Sequence, residues 1–193
     1  NSNSEFTEAM LAPNERIKTE VLAEGDRIKV YVVEVRNSTK GPQVLISRTH
    51  PGLVKRLFEL EVPEIFDGTV EIKSIAREAG SRTKMAVWSN DPDIDPIGSC
   101  VGPKGGRVAN IVEELGGEKI DIIKYSDVPE EYIAAALAPS DVISVTMFED
   151  GKSCRVIVPD SQLSLAIGKE GQNARLAARL TGFKIDIKPE SEA

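Results

Sequence analysis

The sequence contains few of the residues that build metal sites and catalytic nucleophile pairs. It has one histidine, His50, and two cysteines, Cys100 and Cys154, which lie far apart without a CxxC partner. Zinc sites need such residues clustered at short spacings, so this composition argues against a metal site and predicts no cofactor. Isolated thiols are typical of a reducing compartment, where they serve as packing residues. We therefore expect a cytoplasmic protein with two packed thiols.

Long apolar runs and enzyme motifs are also absent from the sequence. No apolar run approaches the ~18 residues that span a bilayer, and no secretory signal is visible, so no contact with a membrane is expected. Because the chain begins at Asn1 without a methionine, we expect it to be a fragment. A phosphate-transferring enzyme would need a P-loop or clustered metal-binding carboxylates, and the sequence has neither. The chain is therefore not expected to be an enzyme.

One short motif is present twice. The segment 101–105 (VGPKG) recurs as 167–171 (IGKEG), and each copy is followed by a helical pattern and then by the tetrapeptide KIDI, at 119–122 and at 184–187. The spacing from the first glycine of the motif to the tetrapeptide is nearly the same, 119 − 102 = 17 residues against 184 − 168 = 16. The two stretches therefore look like copies of one structural unit.

The residue types of these two loops suit a phosphate group. Glycine at both ends of a four-residue loop permits a tight turn and lets the backbone of a ligand come close. Because each loop precedes a predicted helix, unpaired N–H groups and the positive end of the helix dipole face whatever lies over the glycines. This is the arrangement of the GxxG clamp of KH domains, which holds roughly four nucleotides of single-stranded RNA by their backbone. One GxxG is often a plain turn, whereas two copies in matching contexts predict two clamps.

The predicted RNA-binding residues fall into three groups: the loops, the polar side chains that follow them, and the start of the last strand. The isoleucines of that strand could form the apolar base of a groove that binds nucleobases. For Arg107 and Arg175 a solvated surface position is an equally good interpretation, and half of the strand isoleucines must be core because strand faces alternate. Pro103 offers no N–H, and Glu170 would repel phosphate unless it points away. The full set is Gly102, Pro103, Lys104, Gly105, Arg107, Gly168, Lys169, Glu170, Gly171, Gln172, Asn173, Arg175, Lys184, Ile185 and Ile187.

The formal net charge of −7 is unusual for an RNA-binding protein. The acidic excess lies in 51–96 and 127–159, whereas basic residues exceed acidic ones from Lys169 to Lys188. Only 5% of the residues are aromatic, so stacking of bases on aromatic rings is expected to be a minor mode. We expect moderate affinity that depends on a few phosphate contacts.

The hydrophobic periodicity predicts an α+β chain of modules. Residues 27–35 and 43–47 are expected to be strands of a small β unit. Two repeats follow, each in the order helix, strand, strand, helix, GxxG loop, helix, strand, with helices that begin near Pro51 and Pro129. The predicted hairpins pair 70–75 with 84–88 and 142–148 with 154–158. We place the domains at 1–50, 51–126 and 127–193.

This order resembles the prokaryotic, type II form of the KH fold, and longer runs of sequence are more specific. The segments 47–53, 57–64, 76–80, 101–105 and 163–175 resemble the NusA family of bacterial transcription factors, with a likeness that covers about residues 7–190. The resemblance implies two tandem type II KH domains preceded by an OB-type barrel of the ribosomal S-one type. We expect residues 1–50 to be only the end of that barrel, without the family's polymerase-binding domain.

The resemblance also implies a function and partners. Proteins of this family bind nascent single-stranded RNA, RNA polymerase and other elongation factors, and they modulate pausing, termination and antitermination. We accordingly expect tandem KH domains that bind single-stranded RNA within such a factor. The alternative is a protein-interaction scaffold in a transcription complex, whose acidic segments face a partner while degenerate loops bind no RNA. Whether residues 1–50 also bind RNA is left open.

Overall fold

Prolines and polar turns divide the chain into a β segment and two similar α/β repeats in the computed structural model, which describes residues 7–193. Residues 1–6 of the predicted 1–50 domain lie outside the described residues. In the β segment, β1 (Ala9–Met10) pairs in parallel with β3 (Gly41–Ser47), which pairs antiparallel with β2 (Tyr31–Ser38). The strand predicted from residue 27 begins only at Tyr31, because the backbone of Lys29 bonds to Glu114 and to the Arg48 side chain.

The first repeat runs from α1 to β6. Its elements are α1 (Pro51–Glu61), α2 (Pro63–Phe66), β4 (Val70–Glu78), β5 (Arg82–Ser89), α3 (Pro96–Val101), α4 (Gly106–Glu114) and β6 (Lys119–Lys124). Proline stands at the first position of three of these helices, where its missing N–H would have had no helical partner. The His50 ring accepts from the Gly52 N–H, and the Asp95 carboxylate accepts from the Ile97 N–H, so side chains cap α1 and α3.

The second repeat has the same order of elements. It comprises α5 (Pro129–Ala136), β7 (Ser144–Met147), β8 (Ser153–Val158), α6 (Leu163–Ile167), α7 (Gln172–Thr181) and β9 (Lys184–Pro189). The predicted succession of helix, two strands, two helices and a final strand is thereby confirmed in both repeats, with α2 as an addition in the first. Each GxxG loop is a short 3-10 turn that lies between two helices, α3 and α4 or α6 and α7.

Each repeat builds a three-stranded sheet of mixed direction. The strand orders are β4-β5-β6 and β7-β8-β9, with an antiparallel first pair and a parallel second pair. The tetrapeptide KIDI opens both parallel edge strands, and its lysines pair with Arg82 and Ser153 across the sheets. The repeated tetrapeptide therefore marks the same position in both sheets, next to the helices that flank the loops.

The side chains of β5 alternate between two cores. Met85 and Val87 lie in the core of the first repeat, with the predicted helix stripes, whereas Ala86 lies in the core of the second repeat. Ala76 and Ile123 of the first repeat join that second core. The first repeat thus covers its sheet with its own helices on one face and with the second repeat on the other. The buried stripe residues include Leu53, Val54, Leu57, Phe58, Ile111 and Leu115 in the first repeat and Leu176, Ala177 and Leu180 in the second.

Charged side chains tie the parts of the chain together. The buried Arg48 pairs with Glu20 and Glu114 and so fixes the β segment against α4. At the junction of the repeats, the Lys84 ammonium donates to Asp121 at 2.9 Å and to the Ala138 carbonyl at 2.7 Å. Burial lowers the pKa of Lys84 because it removes water from the charged ammonium. The hydrogen bonds to Asp121 and to the Ala138 carbonyl compensate for that lost water. The two repeats are therefore joined by both apolar packing and directed polar contacts.

Two negative findings apply to residues 7–193. No helix there combines the length and apolar character that a membrane crossing requires. Within the same residues, no group of three or more His, Cys, Asp or Glu side chains is placed to hold a metal ion.

Burial raises the pKa of Cys100 to about 12 and that of Cys154 to about 11, so the prediction that both thiols are packing residues is confirmed.

Candidate nucleic-acid interface

The two GxxG loops share one unusual backbone conformation. Their first glycines, Gly102 and Gly168, have φ/ψ of 77°/171° and 79°/168°, a region that is essentially restricted to glycine. Their third residues, Lys104 and Glu170, have φ of 54° and 57° and are the non-glycine residues with positive φ within residues 7–193. Non-glycine residues in this region are strained, and such strain collects at ligand sites. No sequence pattern had indicated this backbone strain.

The first glycine of each loop is required by packing as well as by φ. A Cβ on Gly102 would lie 2.5 Å from Cγ of Arg107, and one on Gly168 would lie 2.7 Å from the backbone N of Asn173. The glycine at the fourth position of the first loop is different, since a Cβ on Gly105 would meet nothing within 4 Å. The inner side of each loop is thus closely packed, and the outer side is open to the backbone of a ligand.

Each loop leads directly into a helix of two to three turns. The Gly105 and Gly171 N–H groups close the loops by donating to the Gly102 and Gly168 carbonyls at 3.1 Å. The helices α4 and α7 begin at the next residue and have nine and ten residues. Their positive dipole ends therefore lie at the loops, where an anion is favoured. Lys104 and Lys169 are exposed there, as is Glu170.

Arg107 occupies the fifth position after the first glycine and supports the first loop from within its own repeat. Its Nη1 donates to Glu64 at 2.9 Å and to the Ser99 carbonyl at 2.8 Å. The Arg107 side chain is about three-quarters buried, with 26% of it exposed. Arg107 is therefore held under the loop by Glu64, a partner that no nearby sequence pattern indicates.

Asn173 stands at the equivalent position after the second loop and is buried. Its Nδ2 donates to the Ala166 carbonyl at 2.9 Å and to the Leu137 carbonyl at 3.1 Å. Its Oδ1 is the one buried side-chain oxygen or nitrogen without a hydrogen-bond partner in the part of the chain that the structure describes. Because only 2% of the residue is exposed, Asn173 lies behind the loop and supports it.

The other two polar residues after the second loop contact the first repeat. Arg175 donates to the Glu78 carboxylate at 2.7 and 2.8 Å and to the Glu170 carbonyl in the loop at 3.0 Å. Gln172 donates from Nε2 to Oγ of Ser81 at 2.7 Å. Hydrogen bonding from Arg175 holds the pKa of Glu78 below its usual range. The hairpin tip of the first repeat thus supports the second loop, a long-range contact that no local motif signals.

The predicted strand residues lie beside α6. Lys184 is exposed, and Ile185 and Ile187 are half-buried and both pack against the core of the second repeat. Because residues two apart in a strand share a face, the expectation that alternation leaves only half of the strand isoleucines in the core is wrong. The end of α6 exposes Leu165 and Ile167, the latter immediately before Gly168. These apolar side chains provide a partly exposed aliphatic surface next to the loop, and the two α6 residues are additions to the predicted set.

A duplicated α-β-β-α-α-β unit with a glycine loop between its two adjacent helices defines a protein with tandem KH domains. The sequence matches the profile described as NusA-like first KH domain over residues 48–125 and that described as NusA-like second KH domain over residues 129–193. The chain belongs to the NusA family. This confirms the resemblance from which the sequence predictions were drawn.

Three curated relatives carry the name Transcription termination/antitermination protein NusA. The relative from Halalkalibacterium halodurans is 63% identical over 186 residues, which are 96% of this chain and 49% of that protein. Those from Mycobacterium tuberculosis and Thermus thermophilus are each 51% identical, over 98% and 94% of this chain and 55% and 47% of the relative. The chain therefore spans about half the length of the curated relatives that it matches.

A solved structure described as the crystal structure of APE1850 shares the fold. It superimposes with a TM-score of 0.51 at 23% sequence identity and covers 70% of this chain and 95% of that chain. At this identity the likeness supports the architecture alone.

Proposed function

We propose that the two GxxG loops bind the backbone of single-stranded RNA, each through its helix N-terminus and its exposed lysine. The observation that carries this function is the strained conformation that Lys104 and Glu170 share, which places both loops in the same shape at the start of a helix. Lys104 and Lys169 would meet phosphate, and Lys184 would extend the contact along β9. Arg107, Gln172, Asn173 and Arg175 act mainly by holding the loops, since each donates hydrogen bonds to protein partners.

We further infer that this RNA is a nascent transcript and that the chain is part of a factor that modulates pausing, termination and antitermination. The name of the curated relatives supports the part in termination and antitermination. RNA polymerase and other elongation factors are the partners that we propose, in the cytoplasm. Neither the fold nor the loops call for a reaction on the RNA, so the proposed activity is binding.

Residues 1–50 are proposed to be the end of an OB-type barrel, with KH domains at 51–126 and 127–193. The three-stranded sheet of β1, β2 and β3 supports this, because β2 leaves Val32, Val33 and Val35 exposed, at 51%, 44% and 56%. Such a row of exposed valines suits a strand that further strands would cover. The helices α1 and α5 begin at Pro51 and Pro129, close to the proposed boundaries.

The test is to place two aspartates in the middle of each loop, Pro103→Asp with Lys104→Asp in the first and Lys169→Asp with Glu170→Asp in the second. Aspartate tolerates positive φ better than most residues, so the loops should keep their shape while repelling phosphate. We expect at least tenfold weaker binding of single-stranded RNA for each variant and loss of binding when both loops are changed. Fluorescence anisotropy of labelled RNA measures the affinity, and thermal melting checks the fold.

Lys55→Glu, on an exposed side chain of α1, is the matched control for a charge change away from the loops and from β9. It should alter affinity much less than a change within a loop, because only general screening is affected. Unchanged RNA affinity in the variant with both loops altered would contradict the proposal and favour the protein scaffold.

A further inference from the structure

Two adjoining cavities lie at one end of the first KH domain, and Trp88 and Lys124 line both of them. One cavity has a volume of about 390 Å³ and reaches Asp91 and Pro96, while the other has about 330 Å³ and reaches Glu131 of α5. Both volumes fall in the range of about 300–1,000 Å³ typical of small-molecule sites. We call these two cavities together the Trp88 site. None of its residues belongs to the RNA-binding set proposed above.

The Trp88 site lies at the carboxyl end of β6, the edge strand of the first sheet. The edge strand β6 carries the half-buried Ile120 and Ile122, packs against α3 and ends at Lys124, which is paired with Val87 in β5. Pro96, the first residue of α3, lines the larger cavity. The opposite end of β6 begins at Lys119, whose N–H bonds to Ser81 beside the second loop. The site is therefore at the end of β6 that is remote from the second loop, and its indole lies on the sheet face of Ala86, opposite the face that α3 covers.

Trp88 is held by a row of aromatic rings. Its ring meets that of Tyr125 edge-on, with centroids 6.3 Å apart, and Tyr125 meets Tyr132 with centroids 5.0 Å apart. The ammonium of Lys73, in β4, lies 5.6 Å from the centroid of the Tyr125 ring and makes a cation–π contact with it. The half-buried indole is thus a fixed aromatic surface that lines open space. Proteins bind unpaired bases by stacking them on aromatic side chains of this kind.

The walls of the larger cavity are held by hydrogen bonds. Oγ of Ser89 donates to the Asp91 carbonyl at 2.7 Å, the Asp93 N–H donates to Oδ1 of Asp91 at 2.9 Å, and Nδ2 of Asn90 donates to the Gly68 carbonyl at 3.1 Å. Oδ2 of Asp91 accepts no hydrogen bond from the described residues. Because these walls are already ordered, binding of a ligand loses less conformational entropy.

The charges at the Trp88 site favour a base over a phosphate. Asp91 and Glu131 contribute two carboxylates against the one ammonium of Lys124. A phosphate inside the cavities would be repelled, whereas a neutral flat base with an amino group could donate to a carboxylate. Lys124 is exposed at the rim and suits the phosphate that precedes or follows such a base.

We propose that the Trp88 site binds a nucleobase that flanks the nucleotides held by the first GxxG loop, by stacking it on the indole. This inference rests on the proposed function, because it takes the base from the same RNA strand. Adenine, cytosine or guanine should be preferred to uracil, because their amino groups can donate two hydrogens towards Asp91 or Glu131, whereas uracil can donate only its N3–H. Stacking then contributes to RNA binding at one position, although aromatic residues are sparse in the chain.

The sole tryptophan of the sequence makes the test direct. RNA of four and of twelve nucleotides is titrated into the full chain while anisotropy reports binding and tryptophan emission reports stacking. We expect the longer RNA, and not the tetramer, to quench Trp88 emission and to protect the indole from acrylamide. Strands whose flanking positions are all adenine should quench more than strands with uracil there.

Variants supply the second arm of the test. Trp88→Leu should weaken binding of the longer RNA about five- to a hundredfold, the range for loss of one base stack, and leave the tetramer unaffected. Trp88→Phe keeps a ring and should lose less, and Lys124→Gln, on an exposed side chain that leaves the fold intact, should cause a small loss for the longer RNA only.

The outcomes separate this inference from the proposed function. Saturable RNA binding with unchanged tryptophan emission and unchanged acrylamide access would overturn the Trp88 site and leave the GxxG loops in place. An absence of RNA binding in the parent protein would overturn both. Equal loss of affinity for the tetramer and the longer RNA in Trp88→Leu, with a lowered melting temperature, would show a structural role and also contradict the proposal.

Discussion

The two GxxG loops have the same shape but are supported in different ways. The first is held within its own repeat, by Arg107 and its bond to Glu64. The second is held by the buried Asn173 of its own repeat and also by Arg175, which connects the loop to Glu78 of the first repeat. The first clamp is thus self-contained, whereas the second depends on its neighbour. This difference predicts that damage to the junction between the repeats weakens one clamp selectively.

The largest expected effect comes from the first glycine of the second loop. Gly168→Ala places a Cβ 2.7 Å from the backbone N of Asn173, in a φ/ψ region that alanine does not adopt. We expect a loss of about 3 kcal/mol or more in the free energy of unfolding, from backbone strain together with the forced shift of α7. Urea unfolding measures it.

Gly171→Ala is the matched control within the same loop. Its Cβ would meet only Nη1 of Arg175, at 3.9 Å, so the positive φ alone is penalised, by about 1–2 kcal/mol. Equal losses for the two glycine variants would show that the close packing beneath the first glycine is unimportant.

The charge at the strained position differs between the loops and should set their relative affinity. Lys104 and Glu170 have nearly the same backbone conformation, but one adds a positive and the other a negative charge. Glu170→Lys should raise RNA affinity about fivefold, which corresponds to ~1 kcal/mol for one favourable charge contact near water. Lys104→Glu should lower affinity by a similar factor. Anisotropy titrations at low salt measure both, and opposite signs for the two changes are essential to the prediction.

A smaller effect is expected from the contact between the repeats. Glu78→Gln removes the ion pair with Arg175 and should lower the free energy of unfolding by about 0.5–1 kcal/mol, since the pair is partly exposed. Glu78→Gln should also weaken the RNA binding of the second loop more than that of the first. The second loop is measured alone when the first carries the two aspartates, and the first is measured alone when the second carries them. Glu59→Gln, which breaks the exposed pair with Arg56 on α1, is the control and should not discriminate between the loops.

The pH dependence of that contact has a definite sign. Arg175 lowers the pKa of Glu78 in the folded protein, so the carboxylate contributes stability above its unfolded pKa of about 4.3. This contribution is lost as pH falls through the lower folded pKa. The difference in unfolding free energy between the parent and Glu78→Gln should be constant near neutral pH and should shrink below about pH 4. Urea unfolding at several pH values measures it, and a difference that grows in acid would contradict the assignment.

The parts of the fold that depend on local pattern could be predicted from the sequence. Periodic apolar residues, helix-starting prolines and paired glycines indicated both repeats, their element order and the loops, because these signals act within a few residues. The NusA family and the KH domains followed from longer runs and are confirmed by the comparisons.

The parts that depend on distant contacts could not be predicted. Glu64, Glu78 and Ser81 support loops from which they are far in sequence, and nothing near Arg107, Gln172 or Arg175 signals those partners. The burial of Asn173 and the second packed face of β5 likewise follow from the way the repeats meet. Periodicity shows that a strand face is apolar but does not show what covers it.

Because the junction of the repeats fixes the two loops relative to each other, we expect both to bind one RNA strand. The most direct measurement is the affinity of unstructured RNA as a function of length, for the parent and for each variant with aspartates in one loop. If each clamp takes roughly four nucleotides, strands of about eight or more should bind the parent much more tightly than a tetramer, because the second contact is intramolecular. Changing either loop should remove most of that advantage. Equal affinity for short and long strands, after correction for the number of binding registers, would contradict the claim.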